Sequence, residues 1–305
     1  MKDSAYFQQV QLLLRMLPLI DREKVFALKG GTAINFFWRD IPRLSVDIDL
    51  TYLPIKEREL SLTEISDRLV SIETRIRRIF SQAKTVQRKP RDASLITGLL
   101  IENDNASIKI EANTIIRGTV FPVVKRSLSS KAEEMFELSV EVNTLSLEDL
   151  FGGKICAALD RQHPRDLFDI KLLLENEGFT EGIRKAFIVY LISHDRPIIE
   201  LLDPGLLNIE KTFEIEFKGM TRDEVTVSDL IRARENLIGL IKTSLTEGEK
   251  KFLLSFKRIQ PEWDLVGIKG IQELPAVQWK LHNLSRMQSE KHNKAYRKLE
   301  KYLLT

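Results

Sequence analysis

Cysteine is almost absent from this chain: Cys156 stands alone among 305 residues. A lone thiol excludes an intramolecular disulfide, so a reducing, cytoplasmic setting is the default expectation. Its apolar helical neighbourhood marks Cys156 as a small core residue. Histidine is scarce too. His163, His194, His282 and His292 share no metal-ligand spacing with Cys156, which argues against zinc, and no Ser/His/Asp triad can be assembled from local motifs. Long apolar runs are missing, since none reaches the roughly 18 to 20 residues that span a bilayer. The N-terminal stretch AYFQQVQLLLRMLPLI is interrupted by Gln8, Gln9, Gln11 and Arg15 and is followed by no small-residue cleavage site. It therefore reads as an amphipathic packing helix, and no membrane is expected. An excess of one charge is also lacking. A net of +3 does not imply nucleic-acid binding unaided, so any basic footprint has to be local.

What is present divides in two. From Val25 to about Glu141 the pattern is mixed: a strand VFALK, a helix from Thr32, a strand SVDIDLTYL and a long helix across 62–85. Strands ASLITGLLIEN and ASIKIEANTI follow, joined by a turn at Asp104-Asn105, and FELSVEVNTLS is one more. SLED at 146–149 has the spacing of a helix-capping box, and from Leu147 onward the sequence reads mainly as helices, with Pro164 suited to a first helical turn. The expectation is an α+β protein, with residues 1–145 as an α/β lobe and 146–305 as a helical lobe. No repeat, low-complexity tract or flexible linker separates them, so the lobes are expected to pack together.

Three stretches could carry chemistry. Strand residues alternate faces, which puts Ser45, Asp47 and Asp49 on one side and Val46, Ile48 and Leu50 on the other. ASIKIEANTI repeats the pattern, so Glu111 could sit beside the Asp pair. Carboxylates gathered in this way repel one another, and one or two hard cations such as Mg²⁺, with a phosphate, resolve the repulsion. Gly30 and Gly31 let the backbone turn tightly and approach a ligand, while Thr32 and the helix that follows offer a hydroxyl and N–H groups to phosphate oxygens. Each feature also has a plain explanation. A tight strand-to-helix turn accounts for Gly-Gly-Thr, and a solvated strand face accounts for Asp-Ile-Asp. In FGGKICAALDRQHPRDLFDIKLL, Lys154 and Arg161 share a helix face and are placed to meet anions, while Asp166 and Asp169 stand three apart on the next helix. Surface salt bridges among Lys154, Arg161, Arg165 and these aspartates would explain the same residues.

Gly30-Gly31-Thr32, then Ser45-x-Asp47-x-Asp49, then Lys154 with RQHPRDLFDI, together with the tail LPAVQWKLHNLSRM, resemble the AbiEii/AbiGii-type toxin family, a branch of the DNA polymerase β-like nucleotidyltransferase superfamily. The resemblance covers almost the whole chain. It implies an N-terminal nucleotidyltransferase lobe facing a helical C-terminal lobe across an active-site cleft, and an NTP co-substrate with Mg²⁺. It matches Ser45 and Asp47 to the catalytic serine-aspartate pair, Asp49 to the metal-binding motif, and Lys154 to the lysine that meets nucleotide phosphates. Asp169 matches the later catalytic aspartate, with Asp166 the second choice, and Glu111 is added by analogy as a third carboxylate.

The resemblance further implies a toxin with a cognate antitoxin, in a toxin-antitoxin or phage-defence pair, with the 3′ end of tRNA as acceptor. From Gln278 to Thr305, Lys280, Arg286, Lys291, Lys294, Arg297, Lys298 and Lys301 stand against Glu290 and Glu300, a local net of +5 that could hold an RNA backbone. A solvated helix face explains it as well, and Trp279 and Tyr296 could stack on bases or serve as core or cap. A protein or small-molecule acceptor, and a non-catalytic nucleotide- or RNA-binding protein, are the alternatives.

Overall fold

The structure is a computed structural model that describes residues 5–90 and 94–304. Ala93, at the start of one expected strand, and Thr305, at the end of the basic tail, lie outside them. The chain divides into two compact units, residues 1–146 and 147–305.

In the first unit, helix α1 (Ala5–Ile20) precedes strand β1 (Phe26–Lys29). A short helix α2 (Gly30–Ala33) runs directly into a π-helical turn, Ile34–Trp38. Strand β2 (Asp47–Tyr52), helix α3 (Arg58–Ile79) and strands β3 (Lys84–Arg88), β4 (Gly98–Asn103) and β5 (Ala106–Asn113) follow. Strand β6 (Val124–Ser127), helix α4 (Ser130–Phe136) and strand β7 (Glu141–Thr144) complete the unit. The strands form one mixed sheet in the order β3-β4-β5-β2-β1-β7-β6, with β2 parallel to β5 and β1 parallel to β7.

Alternation explains how the sheet is used. Ile48, Leu50 and Tyr52 on β2 and Ile108 and Ile110 on β5 are buried. Helix α1 packs on β5 and on α3, and its Val10, Leu13, Leu14 and Leu17 are fully or almost fully buried. The opposite register positions carry Asp47, Asp49, Lys109 and Glu111. Tyr52 also donates its hydroxyl to Glu64, and Lys56, with this bond second, holds the Glu64 carboxyl down at about 2.

Several boundaries differ from the sequence pattern. The long helix starts at Arg58 and stops at Ile79, and residues 84–85, read as its end, open edge strand β3. Lys84-Thr-Val-Gln-Arg88 is mostly exposed, so the apolar periodicity that marks a strand is absent there. The helix expected from Thr32 opens at Gly30. Strand β6 and helix α4 were not expected; their mixed, short segments carry too little periodicity to register.

The second unit is helical: α5 (Leu147–Arg161), α6 (Pro164–Asn176), α7 (Glu181–Ser193), α8 (Ile198–Leu202), α9 (Glu210–Glu216), α10 (Val227–Ser244), α11 (Glu247–Lys257), α12 (Pro275–Ser285) and α13 (Ser289–Leu304). Helices α5 and α7 cross closely because Gly152 has no side chain. A Cβ there would lie 2.8 Å from the Ala186 Cβ and 2.9 Å from the Ala186 carbonyl carbon. The glycines before Lys154 therefore serve helix packing. Cys156 is buried in the same helix, as expected, and burial pushes its thiol well above the usual range. Gln162, in the left-handed region at φ 48°, ties the following loop down: its Nε2 donates to Gly205 O, and its Oε1 accepts from Leu207 N and from buried Arg234. No helix among the described residues is long and apolar enough to cross a membrane.

Candidate active site

The first unit assembles the Gly-Gly-Thr turn and the aspartate strand into one constellation. Lys29 ends β1 in register with Asp49 on β2, and Asp49 is in register with Glu111 on β5, so these three side chains stand in one row on one sheet face. Asp47 lies two residues along the same face. Gly30 sits at φ +72°, and a Cβ on it would lie 2.6 Å from Asp49 Oδ2. A Cβ on Gly31 would meet Arg43 Nη2 at 2.8 Å and Ser45 Oγ at 2.9 Å. A Cβ at either place would push these side-chain ends aside, and the first position is held to glycine by its backbone angle.

Thr32 is 1% exposed, and its Oγ1 lies 2.6 Å from Asp47 O and 3.0 Å from Ser45 Oγ. The hydroxyl fastens the helix start to the aspartate strand. Ser45 precedes β2 rather than lying in it, because the pairing begins at Asp47. It nevertheless reaches the Gly31-Thr32 turn.

The two aspartates are half-buried, and no hydrogen bond or ion pair among the described residues engages either carboxylate. Glu111 is more occupied: Arg88 Nη1 approaches it at 2.6 Å and Lys109 Nζ at 3.7 Å, and it is 43% exposed. Among the described residues no three His, Cys, Asp or Glu side chains are gathered as a ready-made metal site. Two residues here escaped the sequence reading. Lys29 could have been found from its place at the end of VFALK, one step before Gly30. Arg43, 4% exposed beside Gly31, lies in irregular chain where no periodicity signals it.

The second unit holds the other constellation in a different state. Lys154 Nζ lies 2.9 Å from Asp166 Oδ1 and 3.0 Å from Asp169 Oδ2, and all three residues are almost fully buried. Arg161 closes the cluster from the surface, with Nε 2.6 Å from Asp166 Oδ2 and Nη2 3.0 Å from Oδ1. Burial alone would raise the Asp166 carboxyl, but Lys154 and Arg161 outweigh it and hold the group well below the usual range. The salt bridges read as surface pairs are therefore mostly interior ones. His163 caps α6: its Nδ1 accepts the Arg165 N–H at 3.1 Å, and Pro164 occupies the first turn.

Alternating aspartates thus stand beside a Gly-Gly helix start on a mixed sheet, and a helical unit follows in the chain. The family described as "Nucleotidyl transferase AbiEii toxin, Type IV TA system" matches residues 11–283, and the chain belongs to it. It is a nucleotidyltransferase toxin of a type IV toxin-antitoxin system, with an NTP as substrate and an antitoxin as its counterpart. In fold it is similar to MenT4, a nucleotidyltransferase toxin from Mycobacterium tuberculosis H37Rv, with a TM-score of 0.58 at 12% identity over 92% of this chain and 93% of that one. Comparison with curated protein sequences gave no match.

Proposed function

We propose that the enzyme transfers a nucleoside monophosphate from an NTP to the 3′ end of a tRNA, releasing pyrophosphate, with Mg²⁺ as cofactor. The observation that carries this reading is the pair Asp47 and Asp49: two carboxylates on one strand face, engaged by no described side chain, beside a glycine whose missing Cβ leaves Asp49 room. Such oxygen donors fit Mg²⁺, which is commonly held by one or two carboxylates plus substrate phosphates, so a complete protein cage is not required. Asp47 and Asp49 would hold it, with Glu111 as the third carboxylate of the row. Mg²⁺ bound there would neutralise triphosphate charge as the bond to pyrophosphate breaks.

The chain's own groups do the rest. Gly30 and Gly31 bring backbone N–H groups close to phosphate oxygens, and Ser45 lies against that turn. Lys154 and Arg161 meet the nucleotide phosphates, already fixed in direction by Asp166 and Asp169. A carboxylate, Glu111 or Asp169, would orient the acceptor hydroxyl or take its proton as its oxygen attacks the α-phosphorus.

Helices α12 and α13 support an RNA acceptor. Trp279 is 60% exposed and stacks on His282 with ring centroids 5.6 Å apart, and Arg286 Nη1 lies 3.5 Å from His282 Nε2. On α13, Lys291, Lys294, Lys298 and Lys301 follow helical spacing on one exposed face, while Leu299 and Leu303 are buried. An exposed aromatic ring and a cationic helix face are the two kinds of element that hold single strands. Lys280 leaves this footprint: it is buried, its Nζ donating to His194 O, Asp195 O and Arg196 O, and burial together with nearby Lys257 pushes its amine down to about 8. Arg258 lies over the Tyr296 ring at 4.7 Å, so Trp279 is the more exposed ring of the two.

The test is incubation of the protein with Mg²⁺, total tRNA and each α-labelled NTP in turn. Label entering tRNA from one NTP, and absent with Asp47→Ala, is the expected outcome. Label that enters protein or small molecules but never tRNA overturns the acceptor.

A further inference from the structure

A surface cavity of about 520 Å³ opens in the first unit at the end of the helical run that Gly30 begins. The π-helical turn Ile34–Trp38 delivers Phe37 and Trp38 to one wall, and β6 with the start of α4 delivers Arg126, Ser127, Ser129 and Ser130 to the other. Arg126 is the centre of this arrangement. Its guanidinium lies 4.2 Å from the Trp38 ring centroid, and its Nε and Nη2 donate to Phe37 O at 3.3 and 3.1 Å. That fixes the fork in a plane and leaves Nη1 with no partner among the described residues. Ser127, Ser129 and Ser130 line the same cavity. Ser129 Oγ is shut off from solvent without a hydrogen-bond partner, and so is Trp38 Nε1. Neither atom is open to the cavity, so the donors a ligand could reach are Arg126 Nη1 and the exposed serines Ser127 and Ser130.

The carboxylates of the lining do not cancel this. Glu141 is already paired with Lys125, and Asp40 is exposed. A fixed arginine fork among hydroxyls suits a tetrahedral oxyanion, whose oxygens accept from both kinds of donor.

We propose that this cavity is a phosphate-ester binding site, distinct from the Asp47/Asp49 face and independent of the acceptor assigned above. Free nucleotides and a polynucleotide backbone share this chemistry. Binding is measured by calorimetry on the full chain with inorganic phosphate, with a nucleoside monophosphate, and by anisotropy with a labelled single-stranded oligonucleotide, each against Asp47→Ala, Arg126→Gln and Ser127→Asp. Ser127 is exposed, so the last variant places a repelling charge at the rim and keeps the test alive if Arg126→Gln melts early. The expected result is saturable binding at least about tenfold weaker in both cavity variants, with metal-free inorganic phosphate weakened less by Asp47→Ala than by either of them, as loss of a charge-assisted bond at the cavity implies. Weakening seen with phosphate and the monophosphate identifies the free ester as the source, and weakening confined to the oligonucleotide identifies the backbone. Absence of binding with all three probes, or binding that falls with Asp47→Ala and survives both cavity variants, overturns the proposal.

Discussion

The two acidic constellations have the same residue chemistry and opposite settings. Asp47 and Asp49 lie half-buried on a sheet face with no described partner, whereas Asp166 and Asp169 are almost completely buried and clasped by Lys154, with Arg161 outside. The first pair has charge left over for something that comes from outside the protein. The second set is neutral within itself, and its charges are bound into the helical core. An acidic residue is thus informative about chemistry when it lacks a protein partner, and about architecture when it has one. Lys154 and Asp169, assigned to chemistry and yet locked in ion pairs, lie where the two categories overlap.

That contrast can be broken most sharply by substitution. Asp47→Ala is expected to lower nucleotidyl transfer by at least about a thousandfold, on the order of 4 kcal/mol of transition-state stabilisation, with the melting temperature unchanged or raised because a repelling charge has gone. A melting temperature that drops sharply would assign Asp47 to the scaffold. Asp166→Ala should do the reverse to the fold, destabilising it by about 3–5 kcal/mol because Lys154 loses one of its buried counter-charges; urea titration reads it directly.

The glycines sharpen the same comparison. Gly152→Ala, which forces a Cβ against the Ala186 backbone, should cost about 1–3 kcal/mol of stability. Gly30→Ala pushes on the Asp49 carboxylate instead, so turnover should fall by more than its stability loss explains. Equal losses in both assays from both variants would erase the distinction.

The smallest effect is in acid. The folded Asp166 carboxyl lies below its unfolded value of about 3.9, so its contribution is complete above that pH and is lost as pH falls toward the folded value. Below about pH 4 the native chain should lose up to about 1.4 kcal/mol per pH unit through this group, a slope that Asp166→Asn removes. Urea midpoints at several pH values between the acid limit and neutrality measure both slopes.

The sequence made the aspartate face legible because strand alternation is a local rule: Ile48 and Leu50 went inward, and Asp47, Asp49 and Glu111 stayed on the other side. The register that sets Asp49 beside Glu111 and Lys29 is a pairing between distant segments, and no local pattern encodes it. Burial of the Lys154 cluster was hidden for a similar reason. Charged residues at helical spacing look the same on a surface as in a core, and only the packing of α5 on α6 and α7 decides between them. Lys280 shows the cost of counting charge along a sequence, since one of the seven cations of the tail is buried against the end of α7. Strand β3 was missed because an exposed edge strand carries no apolar alternation to read.

The parallel pairings of the sheet also order events in time. Strand β1 lies between β2 and β7, and its pairing of Leu28 with Thr144 joins segments separated by most of the first unit. Asp49 likewise meets Glu111 only after an intervening helix and two further strands have been made. Such long-range closures are slow steps, because the entropy of the loop is lost before the contacts that reward it form. A chain emerging from the ribosome would therefore expose β1 and β2 with unsatisfied edges until residue 144 is out, and the nascent toxin would lack its assembled aspartate row for that part of its synthesis.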